Sequence, residues 1–167
     1  SDKKEQKFPG ISEWKKQDDT YTATVTFTAD GTYNFSVTAT DKAGNTAKTV
    51  SVNEFHVDQT TPEVEISGIA DAKAYKDAVQ PIIRVKDDNL DTNQVHVKLV
   101  GANCGEVKLD GHCVIVKTKS EQTIHLSDFA QEKIADDIYT LTAEGTDRAG
   151  NKVKKDIRFS INRLGSV

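Results

Sequence analysis

Apolar residues in this chain recur at every second position far more often than at helical spacing. Tyr21, Ala23, Val25 and Phe27 alternate with polar residues, and so do Tyr33, Phe35, Val37 and Ala39. Val95, Val97 and Leu99 repeat the pattern further on. A period of two with one apolar face marks a half-buried β-strand. On this criterion strands are predicted near Tyr21–Phe27, Tyr33–Ala39, Thr46–Val57, Glu63–Ser67, Gln80–Lys86, Gln94–Val100, Glu106–Leu109, Cys113–Lys117 and Gln122–Leu126. Two more follow, one opening at Tyr139 and one carrying Val153, Ile157, Phe159 and Ile161. The pattern changes parity at Asn53-Glu54, which predicts a β-bulge there. Ser127–Asp136 sets Phe129 and Ile134 among polar residues and predicts one helical turn.

One phrase occurs twice. Ala29-Asp30-Gly31-Thr32-Tyr33-Asn34-Phe35 runs on to Asp41-Lys42-Ala43-Gly44-Asn45, and Ala135-Asp136-Asp137-Ile138-Tyr139-Thr140-Leu141 runs on to Asp147-Arg148-Ala149-Gly150-Asn151. Tyr33 and Tyr139 stand 106 positions apart, as do Asn45 and Asn151. A self-match at such an offset means repeated domains. Each phrase reads as a corner, a strand, a tight turn and the start of the partner strand.

The flanks of the two copies differ. Tyr139 follows Pro62 by 77 positions, whereas Tyr33 follows Ser1 by only 32. About 45 positions, enough for the opening strands, have no counterpart in the first copy. The expected organisation is a partial unit over residues 1–60 and a complete β-sandwich over 61–167, with seven or eight short strands separated by turn signals. A half sandwich leaves strand edges and an apolar face unpaired, so residues 1–60 are expected to self-associate or to be held by another chain. The junction, Val57-Asp58-Gln59-Thr60-Thr61-Pro62, is short and poor in glycine, which predicts a semi-rigid link.

Composition narrows the partners. Lys and Arg number 22 against 26 Asp and Glu, and the basic residues are dispersed. No basic stripe exists for phosphates, so nucleic acid is excluded as a partner. No apolar run approaches membrane-spanning length, so no membrane insertion is expected within these residues. The chain opens Ser-Asp and contains no Met, which reads as a piece of a longer protein.

Catalytic chemistry finds no constellation. His56, His96, His112 and His125 fall on separate predicted strands and loops, none at metal-ligand spacing or beside a nucleophile motif. No catalytic residue, cofactor or metal set is assigned, and the chain is read as not an enzyme. Asp87-Asp88-Asn89-Leu90-Asp91 begins like an EF-hand loop, but Thr92 stands where glycine is required and Lys98 where the bidentate Glu belongs. A looser calcium site, from this loop with Asp58 at the junction, is outweighed by a solvated loop. Asp41, Gly44 and Asn45, with Asp147, Gly150 and Asn151, are read as turn residues rather than sugar ligands, because the turn alone demands these types. Trp14 is read as a core or dimer contact ahead of a sugar platform. Cys104 and Cys113, the only cysteines, are an even, close pair and predict a local disulfide in an oxidising setting. Ideal pairing around Asp110-Gly111 would oppose Cys113 to Lys108, so the bridge requires a wider loop or a bulge.

Asp30-Gly31-Thr32-Tyr33 resembles the tyrosine-corner signature of immunoglobulin-like sandwiches, which gives Tyr33 and Tyr139 a structural role. The position two after each tyrosine, cysteine in antibody domains, is Phe35 or Leu141. With Val57-Asp58-Gln59-Thr60-Thr61-Pro62, the Asp-Lys/Arg-Ala-Gly-Asn turn, Leu99-Val100-Gly101-Ala102-Asn103 and the tail Phe159-Ser160-Ile161-Asn162-Arg163-Leu164-Gly165-Ser166, the sequence from about residue 20 onward is similar to tandem bacterial Ig-like repeats of Gram-positive surface proteins. The cysteines depart from that family's habit. The resemblance implies an extracellular stalk or adhesive module, with two alternatives: a direct binder of a host immunoglobulin or mucin glycoprotein, or an accessory module of a secreted glycosidase. It also raises, by fold analogy, an isopeptide bond from Asn162 to Lys73 or Lys76.

Overall fold

The computed structural model describes residues 10–126 and 136–163. The helical turn expected over Ser127–Asp136 falls, apart from Asp136, outside the described residues. Among these residues there are thirteen strands and no helix. The chain divides into two compact units, Ser1–Gln59 and Thr60–Val167.

The first unit is two small antiparallel ribbons. β1 (Lys15–Gln17) pairs with β2 (Thr20–Thr22). β3 (Gly31–Val37) pairs with β4 (Val50–Val57), with Tyr33 opposite Phe55 and Phe35 opposite Val52. Between those pairs one residue, Asn34, faces two, Asn53 and Glu54. The bulge therefore sits where the apolar alternation changes parity, and it keeps Phe55 on the same face as Tyr33. The strand expected over Tyr21–Phe27 is mostly irregular; beyond β2 it contributes a single bridge, Val25 to Ile11. Phe27, Tyr33, Phe35 and Phe55 cluster, with ring centroids of 4.8 Å for Phe27–Tyr33 and 5.0 Å for Phe27–Phe55. None of the described residues of this unit is fully buried.

The second unit contains, in chain order, β5 (Glu63–Ser67), β6 (Ala74–Tyr75), β7 (Ile82–Lys86), β8 (His96–Gly101), β9 (Gly105–Val107), β10 (Cys113–Lys117), β11 (Glu121–Leu126), β12 (Asp137–Thr146) and β13 (Lys152–Ile161). One sheet has the order β10-β11-β7-β5 and the other β6-β13-β12-β8-β9. All neighbours are antiparallel except β6 and β13. The inward positions of both sheets form one core: Val64, Ile83, Val85, Leu99, Ile124, Leu126, Tyr139, Leu141, Phe159 and Ile161 are all buried. Each such side chain contributes roughly 1.5–3 kcal/mol when removed from water, which is why this alternation fixes register. Along β12 the inward residues shrink from Tyr139 through Leu141 and Ala143 to Gly145. A Cβ on Gly145 would lie 2.7 Å from Val85 Cγ1, so the sheets approach closely there.

One pairing differs from expectation. The segments around Glu106–Leu109 and Cys113–Lys117 do not form a hairpin with each other. β9 pairs with β8 in one sheet, and β10 pairs with β11 in the other. The Asp110-Gly111 turn is instead a crossover between sheets, with His112 N donating to Leu109 O and Gly111 at φ 80°. Cys104, in the β8–β9 turn, and Cys113, opening β10, thus belong to opposite sheets, and both are free thiols. The expected Cys104–Cys113 disulfide is not formed, because the hairpin that would have brought the two together does not exist.

Candidate functional site

The doubled phrase builds matching polar contacts at its corner aspartate and its turn in both units. In the first unit Tyr33 Oη donates to Ala29 O at 2.7 Å, closing a corner over four residues. Gln59 N, just past the closing strand, donates to Asp30 Oδ1 at 2.9 Å. In the second unit Arg163 N donates to Asp136 Oδ2 at 3.0 Å in the matching place. The turns also match. Asn45 N and Nδ2 donate to Asp41 Oδ1 and Oδ2, both at 2.8 Å. Asn151 N and Nδ2 donate to Asp147 Oδ1 and Oδ2 at 2.8 and 2.7 Å. Gly44 and Gly150 take φ of 91° and 95°, the left-handed conformation that glycine adopts without a Cβ penalty. In both copies the Asp, Gly and Asn side chains or backbones close the turn. The Asn45 amide, with backbone N–H groups of the turn, holds the Asp41 carboxyl below the usual carboxylate range.

The second unit adds a feature absent from the first. Where the first copy has Gly31, the second has Asp137, only 6 % exposed. Its carboxylate accepts from Asn103 N, Cys104 N and Asn103 Nδ2, each at 2.9 Å, and from its neighbour Ile138 N at 2.7 Å. Burial pushes this carboxyl up, but the donors from Cys104, Asn103 and Ile138 outweigh it and leave the group far below its ordinary value. Tyr139, fully buried beside it, is pushed well above the ordinary phenol range by burial and by the neighbouring Cys104 and Asp137. A Cβ on Gly101 would lie 2.6 Å from Asp137 Oδ2, so the cradle accepts only glycine there without rearrangement. Sequence reasoning missed this cradle. Its one signal was the Gly-to-Asp change between otherwise matching phrases.

The arrangement holds loops in place and offers no nucleophile–base pair. His56 Nδ1 lies 2.9 Å from Thr32 Oγ1 on the exposed side of the β3–β4 ribbon. Among the described residues no histidine or cysteine joins a cluster of metal-ligand spacing. Lys73 and Lys76 are both exposed, with Lys73 Nζ 5.0 Å over the Tyr75 ring. Trp14 is exposed and outside the aromatic cluster, so it is not a core residue. Among the described residues the Arg84–Glu121 pair is the closest charged contact, and it raises the guanidinium and lowers the carboxyl.

Two antiparallel-dominated sheets packed face to face, with a tyrosine at the corner and an apolar core in place of an inter-sheet disulfide, define an immunoglobulin-like β-sandwich. The family model for the bacterial Ig-like domain (group 3) matches residues 17–162, and the chain belongs to that family. A search of curated proteins returned no match. Domains of this kind are generally non-catalytic. No helix among the described residues is long and apolar enough to cross a membrane.

Proposed function

We propose that this chain is a non-enzymatic structural or adhesive module of an extracellular bacterial surface protein. The observation that carries this reading is the repetition, in both units, of an Asp–Asn turn closed through backbone and amide and of a corner aspartate that accepts the backbone N–H just past the closing strand. Repeating units of this kind extend a chain and position whatever lies at its ends. The test is surface-based binding of the purified chain to immobilised mucin and immunoglobulin. A spacing module shows no saturable response up to about 10 µM, a range that detects affinities of roughly −7 kcal/mol.

A second reading, direct binding of a host glycoprotein, is favoured by one feature. β10 forms an open edge of its sheet, and Val114, Ile115 and Val116 along it are all exposed. An edge strand with free backbone groups accepts an added strand. Saturable binding lost on Ile115→Lys would establish this reading in place of the first. Saturable binding unaffected by that change, or hydrolysis of a glycan by the purified chain, would sink both.

A further inference from the structure

We infer that the polar end of the second unit's core is a binding site for a calcium-sized divalent cation, with Asp87, Asp147 and Gln122 supplying oxygen ligands. Along β7 and β12 the apolar inward positions end at Val85 and Gly145, which pack on each other, with Leu90 beside Asp147. The next inward position on β7's line is Asp87, and on β12's line Asp147. Both are buried, at 9 % and 3 % exposure, and carboxylate oxygens of the two lie within 4.8 Å. Calcium–oxygen bonds of about 2.3–2.6 Å allow one ion to bridge two oxygens at that separation. Asp147 accepts from Asn151 and Asp87 Oδ1 from Asn89 N at 2.7 Å, but neutral donors leave the repulsion between two close carboxylates, which a cation between them removes.

Gln122, on the strand next to β7, is an independent second observation. It faces the core on β11, opposite Val85 and diagonal to Asp87, and is 3 % exposed. Its Oε1 is buried with no hydrogen-bond partner. A core-facing glutamine with an orphaned oxygen is rare in native interiors and calls for a partner. A side-chain carbonyl diagonal to one of two paired carboxylates belongs to the donor types that hard cations take. The frame is fixed by backbone bonds that lock the two loops together: Asp91 N to Thr146 O at 3.2 Å and Arg148 N to Asn89 O at 2.9 Å. The first unit is an internal control. Asp41 makes the same turn bonds as Asp147 but is exposed.

Three protein oxygens leave most of calcium's six to eight positions to water or neighbouring groups, so the expected affinity is in the roughly 0.1–1 mM range of extracellular modules. The experiment is thermal unfolding of the full chain in EDTA, in 5 mM CaCl2 and in NaCl of equal ionic strength. The midpoint is expected to rise by about 4 °C or more with calcium alone. Asp87→Asn and Gln122→Leu, each compared with its own EDTA baseline, are expected to lose most of that rise. A CaCl2 titration followed by amide NMR should move signals of residues 87–91, 120–122 and 146–151. No rise in the wild-type chain, an equal rise with NaCl, a rise undiminished in both variants, or amide shifts confined to other residues would each overturn the site.

Discussion

The same tyrosine–phenylalanine pair occurs in both units and meets opposite fates. Tyr33 faces Phe55 across β3 and β4, and Tyr139 faces Phe159 across β12 and β13. Ring centroids are 5.8 Å apart in the first pair and 5.7 Å in the second. The second pair is covered by the inward residues of β5, β7 and β11, and its rings are 0 % and 1 % exposed. The first pair is only half buried, since its unit has no such sheet among the described residues. Local sequence therefore suffices to make the hairpin and its aromatic pair. Burial, which carries most of the stability, depends on strands far away in the chain.

The largest effect that can break this comparison is in amide exchange. Amides of β12 should exchange only by global opening, and those of β3 by local opening, with rates differing by at least about a thousandfold. Equal protection would show that something, such as a second copy of the chain, covers the aromatic face of the first unit. Equivalent truncations sharpen the point. Phe159→Ala should cost about 3–5 kcal/mol in urea unfolding. Phe55→Ala, at a partly buried site, should cost less than about 1 kcal/mol. Equal costs would mean that the two faces are equally packed.

Asp137 tests the second difference between the copies. Asp137→Asn at pH 7 should lower the midpoint by about 10 °C, because a charged acceptor of several buried donors is weakened. The pH dependence follows from the depressed carboxyl. Its contribution is fully present above the unfolded value of about 3.9 and is lost as pH falls from there towards the folded value. Asp137→Asn should therefore remove much of the acid-induced loss below about pH 4. Asp41 and Glu121, also depressed but more open to solvent, should leave that limb nearly unchanged when replaced.

What was legible in the sequence was what neighbouring residues dictate. Alternation located β5, β10 and β12 closely, and its lapse at Asn53-Glu54 located the bulge in β4. The Asp-x-Ala-Gly-Asn runs read as turns because only a few residue types close such a turn. What failed was partner choice. An Asp-Gly between two apolar runs is a strong hairpin signal, yet β9 and β10 separate because inward Val107 and Cys113 pack on the core from opposite sheets. The disulfide expectation failed with it. The polar end of the core was half legible: the Asp87–Asp91 loop stood out as oxygen-rich, but Asp147 looked like an ordinary turn residue. Gln122 carried no signal, because its burial comes from pairing with β7 and not from its own neighbours in sequence.

The smallest effect concerns the turns, whose geometry is nearly identical in the two copies. Asn151→Ala removes a donor from a buried carboxylate and should cost about 1 kcal/mol, read as a shift in urea midpoint with unchanged slope. Asn45→Ala removes the matching donor from an exposed carboxylate that water can serve, and should leave the global midpoint where it is. The local consequence is still visible: the Asp41 carboxyl, released from the Asn45 amide, should titrate closer to the ordinary range in side-chain carbon NMR. A shift of the global midpoint by Asn45→Ala would mean that the first unit unfolds as one body with the second. The contrast between a covered hairpin and an uncovered one would then be a difference in packing without a difference in cooperativity.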